Sequence, residues 1–227
     1  MTDIFHEIEE DLRRDRLRRV WDRYGIVFIA LVVLVIAGAA GYSGYKWWAL
    51  QQDQASGARF EAAAHLAAEG KATDAEAAYV ALSKDGTAGY RMLARFRAAA
   101  EIATTDKAKG AAAFDAIAAD SSLSSLTRDL ARVRAGLLLV DTAPLAEIQS
   151  RLQALADSQS ALRFSAREIL ALAQYKAGDL AAANKAAALL LEEPEVPPGV
   201  RNRAELIRAL TAAAAQINPA VGAAATQ

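Results

Sequence analysis

Charged residues vanish from the chain between Tyr24 and Tyr45, and the stretch Ile26-Val27-Phe28-Ile29-Ala30-Leu31-Val32-Val33-Leu34-Val35-Ile36 is apolar at every position. A helix needs about 20 apolar residues to cross the hydrocarbon core of a bilayer. Ten of these side chains are Leu, Ile, Val or Phe. At roughly −0.3 to −0.6 kcal/mol each, they favour insertion by about 3–6 kcal/mol. Trp21 and Tyr24 flank the run on one side, and Tyr42, Tyr45, Trp47 and Trp48 on the other, the positions of an interfacial aromatic belt. The pattern predicts a transmembrane helix over residues 25–45.

Ala37-Gly38-Ala39 imitates a signal-peptidase site, and cleavage there would release a soluble protein. The leader before the span is 24 residues long and rich in acids, and the apolar run exceeds the usual length of about 7–15. An uncleaved anchor is therefore expected. Arg13, Arg14, Arg16, Arg18, Arg19 and Arg23 precede the span, whereas only Lys46 closely follows it. The arginine-rich side stays cytoplasmic. Residues 1–24 are thus expected in the cytoplasm and the rest outside, which in a bacterium means an inner-membrane protein with a periplasmic C-terminal domain. Ala37/Gly41 and Ala40/Gly44 are small-xxx-small pairs that admit a packed transmembrane partner. That partner is another membrane protein or a second copy in a homo-oligomer.

Residues 1–24 read as a charged amphipathic segment. Glu9/Arg13, Glu10/Arg14 and Asp15/Arg19 stand at i,i+4 with the acid first, and Ile4, Ile8 and Leu12 form an apolar stripe. Residues 46–57 form a junction with Gln51-Gln52-Asp53-Gln54 at its centre. Helical patterning then continues over 58–216 with an internal repeat. Ala75, Tyr79 and Leu82 recur as Gly110, Phe114 and Ile117, as Ile148, Leu152 and Leu155, and as Ala183, Ala187 and Leu190. Twelve residues before each set stands a small residue: Ala63, Ala98, Gly136 and Ala171. The spacing describes antiparallel helix pairs. A small residue on helix A lets helix B lie close, and an i, i+4, i+7 set on helix B fills the space between units.

The last unit is the most legible. Leu170-Ala171 on helix A, the turn Tyr175-Lys176-Ala177-Gly178-Asp179 and the proline after Glu193 resemble a tetratricopeptide repeat (TPR). Gly178 suits a left-handed helix end, and Asp179 suits a cap. A final helix from Val200 to about Gln216, with Leu206, Ile207 and Leu210 on one side, is expected to close the stack. Residues 217–227, rich in Ala and Gly, are expected to be a disordered tail.

Composition sharpens this picture. Alanine supplies 57 of 227 residues, which favours helices in close contact. The fold class expected is all-α: a single N-terminal transmembrane helix followed by a TPR-like α-solenoid. Net charge is −1, so the electrostatic footprint of nucleic-acid binding is missing. There are no cysteines, and the two histidines, His6 and His65, stand apart. No phosphate-loop, dinucleotide, zinc-protease or nucleophile-elbow motif occurs. The reading is of a protein that is not an enzyme and needs no catalytic residue, metal or cofactor.

The charged head, the span closed by Gly41-Tyr42-Ser43-Gly44-Tyr45-Lys46-Trp47-Trp48, and the TPR-like domain resemble the YfgM-type ancillary subunit of the SecYEG translocon. The opening Asp3-Ile4-Phe5-His6-Glu7-Ile8-Glu9-Glu10-Asp11-Leu12-Arg13-Arg14 resembles the alphaproteobacterial version. The resemblance implies association with the translocon channel and with a membrane-anchored periplasmic chaperone of prolyl-isomerase type, assisting secreted or membrane protein biogenesis. A concave face built by the A helices would carry the contacts, with Arg91, Arg95, Arg132 and Arg167 as surface candidates. The alternative is a membrane-tethered TPR scaffold or regulator of an envelope complex serving cell division or stress signalling, with the head as its working part.

Overall fold

In the computed structural model, residues 3–217 are described, with side-chain surroundings for Arg18 and for residues 21–213. The side chains expected to make the head amphipathic, and the tail after residue 217, lie outside the described residues. The described chain is helical throughout: α1 (Asp3–Ala68), α2 (Ala72–Asp85), α3 (Ala88–Thr105), α4 (Lys107–Ala118), α5 (Ser125–Leu139), α6 (Leu145–Ala156), α7 (Arg163–Lys176), α8 (Leu180–Glu192) and α9 (Pro198–Ile217). It divides into two compact units, Met1–Ala55 and Ser56–Gln227.

In the first unit, α1 contains a stretch long and apolar enough to cross a membrane. Ile26, Val27, Phe28 and Ile29, and Leu31 through Ile36, are all exposed. Such a surface is stable only against lipid or another apolar partner. Residues 46–57 are helical as well, because nothing in Trp47–Ser56 breaks a helix. Ala37, Ala40, Gly41 and Gly44 are exposed, and a Cβ added at Gly41 or Gly44 would meet nothing within 4 Å.

The second unit is a stack of helix pairs. Residues 56–68 of α1, then α3, α5 and α7, are the A helices; α2, α4, α6 and α8 are the B helices. The B-helix sets Ala75/Tyr79/Leu82, Gly110/Phe114/Ile117, Ile148/Leu152/Leu155 and Ala183/Ala187/Leu190 are all buried. Three cores follow one another. The first joins Ala63, Tyr79 and Leu82 to Ala94 and Ala98. The second runs from Ala99 of α3 to Ala173 of α7. The third joins Phe164 and Ala171 of α7 to Leu190 and Ile207. Helices α3 and α7 each belong to two cores, so every pair is buried by its neighbours.

Turn chemistry explains the breaks. Gly70 and Gly178 have φ of +76° and +83°, the left-handed region glycine tolerates. At both, the following N–H reaches back five residues: Lys71 donates to the Leu66 carbonyl, and Asp179 to that of Gln174 (3.0 Å each). This is the Schellman closure of a helix. Asp179 caps α8 by accepting from Ala182 N (3.0 Å), and Asp106 caps α4 by accepting from Lys109 N (3.0 Å).

Helix α9 closes the stack with a face that keeps Ile207 of the expected set but not Leu206 or Leu210. Val200, Ala204, Ile207 and Thr211 are buried, while Leu206 and Leu210 are exposed. The stripe at i, i+4, i+7, i+11 that meets α7 and α8 is centred one position away from the leucines. Glu168 of α7, itself buried, holds Arg203 of α9 in a bidentate pair, and Asn184 Nδ2 donates to Thr211 Oγ1 (2.7 Å).

Two glycines mark the tightest crossings. A Cβ on Gly110 would lie 2.4 Å from Ala103 Cβ and 2.6 Å from Ala103 Cα. On Gly136 it would meet Leu152 Cδ1 at 2.6 Å, the end of a side chain that can turn. Gly110→Ala gains about 0.5–1 kcal/mol of helix propensity but overpacks against backbone at about 1–3 kcal/mol. It should lower the melting temperature followed by circular dichroism, and Gly136→Ala should lower it less. A Gly110→Ala protein melting above the parent would contradict the close approach of α3 and α4.

Candidate functional site

The A helices share more than their small residues. Ala58-Arg59, Ala94-Arg95, Ala131-Arg132 and Ala166-Arg167 recur at steps of 36, 37 and 35 residues. In α3 and α5 the likeness widens to Arg91-Met92-Leu93-Ala94-Arg95-Phe96-Arg97 against Arg128-Asp129-Leu130-Ala131-Arg132-Val133-Arg134. In this register the partner of Ala63 is Ala99, not Ala98. Both are buried, Ala99 at 1% exposure and Ala98 at 6%. Gly136 and Ala171 complete the set, and both are buried.

Each repeated arginine clips its helix to the end of its own B helix. Arg59 pairs with Asp85 at 2.8 Å, Arg95 with Asp120 at 2.6 Å, and Arg167 with Glu193 at 3.1 Å. In the third unit the link has two steps. Arg132 pairs with Asp129 at 2.6 Å, and Asp129 accepts from Ser160 Oγ beyond α6 at 2.8 Å. Arg167 Nε also donates to the Ala156 carbonyl (2.8 Å), and Arg91 donates to the Gly86 carbonyl (3.2 Å). The four arginines expected to offer a free surface are therefore engaged within the fold. Arg95, Arg132 and Arg167 fix the B-to-A turns, which spacing of small residues alone did not reveal. The available signal was an arginine with an acid 25 or 26 residues later, recurring with the repeat.

What remains open on the A helices is a different set. Leu93 of α3 and Leu126, Leu130 and Leu137 of α5 are exposed large apolar residues. Arg97 and Arg134, each four residues after its leucine, are exposed and make no ion pair among the described residues. Leu93-x-x-x-Arg97 and Leu130-x-x-x-Arg134 occupy one register 37 residues apart. With Ala94/Ala131 and Ala98/Ala135 of the same register buried, the two Leu–Arg pairs lie on the corresponding outer faces of α3 and α5. Helices α3 and α5 together carry six arginines against two acids, Glu101 and Asp129. Arg97 acts across Tyr79, whose phenol burial pushes up, while Arg97 opposes and Glu101 and Glu61 add to the rise.

Repeat-packing residues are distributed through the stack and assemble no reaction centre. Ala63, Tyr79, Leu82, Phe114, Ile117, Leu152, Leu155, Ala171 and Leu190 are interior, and Gly178 is an exposed turn residue. Among the described residues no group of three or more His, Cys, Asp or Glu side chains could hold a metal ion, and His65 is exposed. His6 lies outside the described side chains. The arrangement presents apolar surface flanked by free guanidinium groups, which suits binding another protein by burial of leucine and pairing of carboxylates.

A family model described as a tetratricopeptide repeat-like domain matches residues 18–167. No curated protein and no solved structure matches the chain.

Asp120 gives the clip a pH signature. Its carboxylate accepts from the Ser122 hydroxyl (2.6 Å) and from Arg95 (2.6 Å), and these bonds, Ser122 first, lower its pKa to about 2. A depressed carboxylate stabilises the fold fully above its ordinary value near about 4. That contribution is lost as pH falls toward 2. Carboxyl-carbon NMR titration should place Asp120 in this low range and show it rising in Arg95→Gln. An unchanged Asp120 titration in that variant would mean that the clip does not hold in solution.

Proposed function

Because the chain belongs to the tetratricopeptide repeat-like domain family, we propose that it is a membrane-tethered protein-interaction subunit of the bacterial inner membrane. Its apolar helix anchors it, and its repeat domain stands in the periplasm beside the Sec translocon. There the domain contacts the channel and a membrane-anchored chaperone that receives emerging chains. The observation that carries this reading is the joining, in one chain, of a candidate membrane span to a helical stack with an open Leu–Arg face on α3 and α5. Six arginines before the span support the orientation, and the likeness of the head and the span to translocon ancillary subunits supports the choice of partner.

A neutral, apolar face would favour any hydrophobic partner. The free Arg97 and Arg134 instead favour one that brings carboxylates among apolar side chains. Charges of this kind steer association and select register more than they add affinity. Leu130 is more than one-third exposed, so exchanging it for a polar residue leaves the core intact.

Purification of the full chain in mild detergent should recover channel subunits and a periplasmic chaperone, identified by mass spectrometry. Leu130→Glu combined with Arg134→Glu should reduce that recovery by about tenfold while the helical signal and melting temperature stay those of the parent. Eluates without channel subunits would overturn the translocon assignment. Undiminished recovery with the double variant would remove the α3–α5 face from it.

A further inference from the structure

The fourth unit departs from the other three at positions that meet in one place. In the A-helix register, Leu170 stands where the others have Ala62, Ala98 and Ala135. Gln174 stands where they have Leu66, Ile102 and Leu139. In the B-helix register, Leu189 stands where they have Ala81, Ala116 and Ala154. All three departures line a single open cavity of about 480 Å³ between α6, α7 and α8. Leu170 forms apolar floor at 7% exposure, and Leu189 rises from α8 at 54%. Gln174 Oε1 is buried and has no hydrogen-bond partner.

Leu170 also packs in the second core, but Leu189 and Gln174 belong to none of the three cores. In the other units alanine stands at the places of 170 and 189, and leucine or isoleucine at that of 174. A buried amide oxygen without a donor is costly, and a ligand donor toward which the amide turns would offset that cost. The remaining lining carries charge. Asp157, Glu192 and Glu193 share the cavity with one cation, Arg167. Arg167 is already bound to Glu193 and to the Ala156 carbonyl, and among the described residues the Asp157 carboxylate is bound only to the Gln153 amide (3.0 Å). The cavity thus has an apolar floor, an amide in its wall whose buried oxygen has no hydrogen bond among the described residues, and two surplus negative charges.

We propose that this cavity is a second docking site, separate from the α3–α5 face, for an extended segment of another protein in which an apolar side chain is flanked by lysine or arginine. The apolar side chain packs between Leu170 and Leu189. The basic side chains lie against Asp157 and Glu192. On turning toward the cavity, the Gln174 amide oxygen accepts from an N–H of the segment. The two sites therefore have opposite charge preferences: the α3–α5 face takes carboxylates, and this cavity takes cations.

The test uses the full chain in nanodiscs of zwitterionic lipid, with empty nanodiscs as the blank. A fluorescein-labelled peptide of alternating lysine and leucine is followed by anisotropy, beside a control with glutamate in place of lysine. The lysine peptide should bind and the glutamate peptide should not, with affinity falling as salt rises. Leu189→Ala restores the residue of the other units at an exposed position. It should weaken binding by about tenfold with an unchanged melting temperature. Asp157→Lys with Glu192→Lys should abolish binding, and Gln174→Leu should weaken it while raising stability. A photoreactive peptide should crosslink within residues 153–193. Equal binding of both peptides, no binding of the lysine peptide, binding unaffected by Leu189→Ala, or crosslinks confined to α3 and α5 would each overturn the proposal. So would concentration-dependent self-association abolished by Leu189→Ala, which would make a second copy the occupant. None of these readouts involves the translocon, so this site and the membrane-complex assignment fail independently.

Discussion

Close approach of paired helices over alanine and glycine is the constraint on which the repeat domain depends. A two-helix unit this thin cannot bury a core alone. It lends one side of an A helix to the unit before and the other side to the unit after. Ala94 and Ala98 face the first core while Ala99, on the same helix, faces the second. Phe164 and Ala171 serve the third core while Ala166 and Ile169 serve the second. A helix buried on two sides keeps only a narrow polar strip. That strip is where the repeated arginines stand, with their stems along the apolar surface and their heads at the turns. The clips are partly exposed pairs, each adding little stability of its own. Their effect is positional, since each ties one helix to the end of its partner.

Much of this architecture was legible in the sequence because it rests on periodicity. The apolar run after Tyr24 and the i, i+4, i+7 sets on the B helices need no knowledge of the fold to be seen. The A-helix register was harder, because A and B helices drift independently. The B sets step by 35, 38 and 35 residues, whereas the Ala-Arg pairs step by 36, 37 and 35. Turn length absorbs the difference: Asp106 alone separates α3 from α4, but Val140–Pro144 separate α5 from α6. Counting back from the B helix therefore lands on Ala98, while counting along the A helices lands on Ala99. In so alanine-rich a chain both are buried, and burial alone does not separate them.

The arginines show a second limit. A lone cation on an amphipathic helix is ordinarily read as solvated surface, and Arg59, Arg95 and Arg167 carry no local sign that they are engaged. Their partners lie about two dozen residues away, and only the antiparallel pairing brings them close. The open leucines had the opposite problem. Leu93, Leu126, Leu130 and Leu137 look like core by residue type, and the structure leaves them outside because alanines already fill the interior. Leu206 and Leu210 of the closing helix failed the same way, by pattern without a partner.

Repetition itself supplies the means to separate packing from function where residue type does not. In a linear stack each unit answers only to its neighbours, so the requirement at one position can be read from its counterparts. The match to the family extends to residue 167, within α7, and the fourth pair lies mostly beyond it. That pair follows the packing rules of the others at Ala171, Ala183, Ala187 and Leu190. It breaks them at Leu170, Gln174 and Leu189, which converge on one cavity. Scattered departures would be drift absorbed by a tolerant surface. Departures that share a cavity, that expose Leu189 and that leave an amide oxygen without a hydrogen bond among the described residues place a local cost there. The basic, apolar segment proposed for the cavity would account for a cost of that kind.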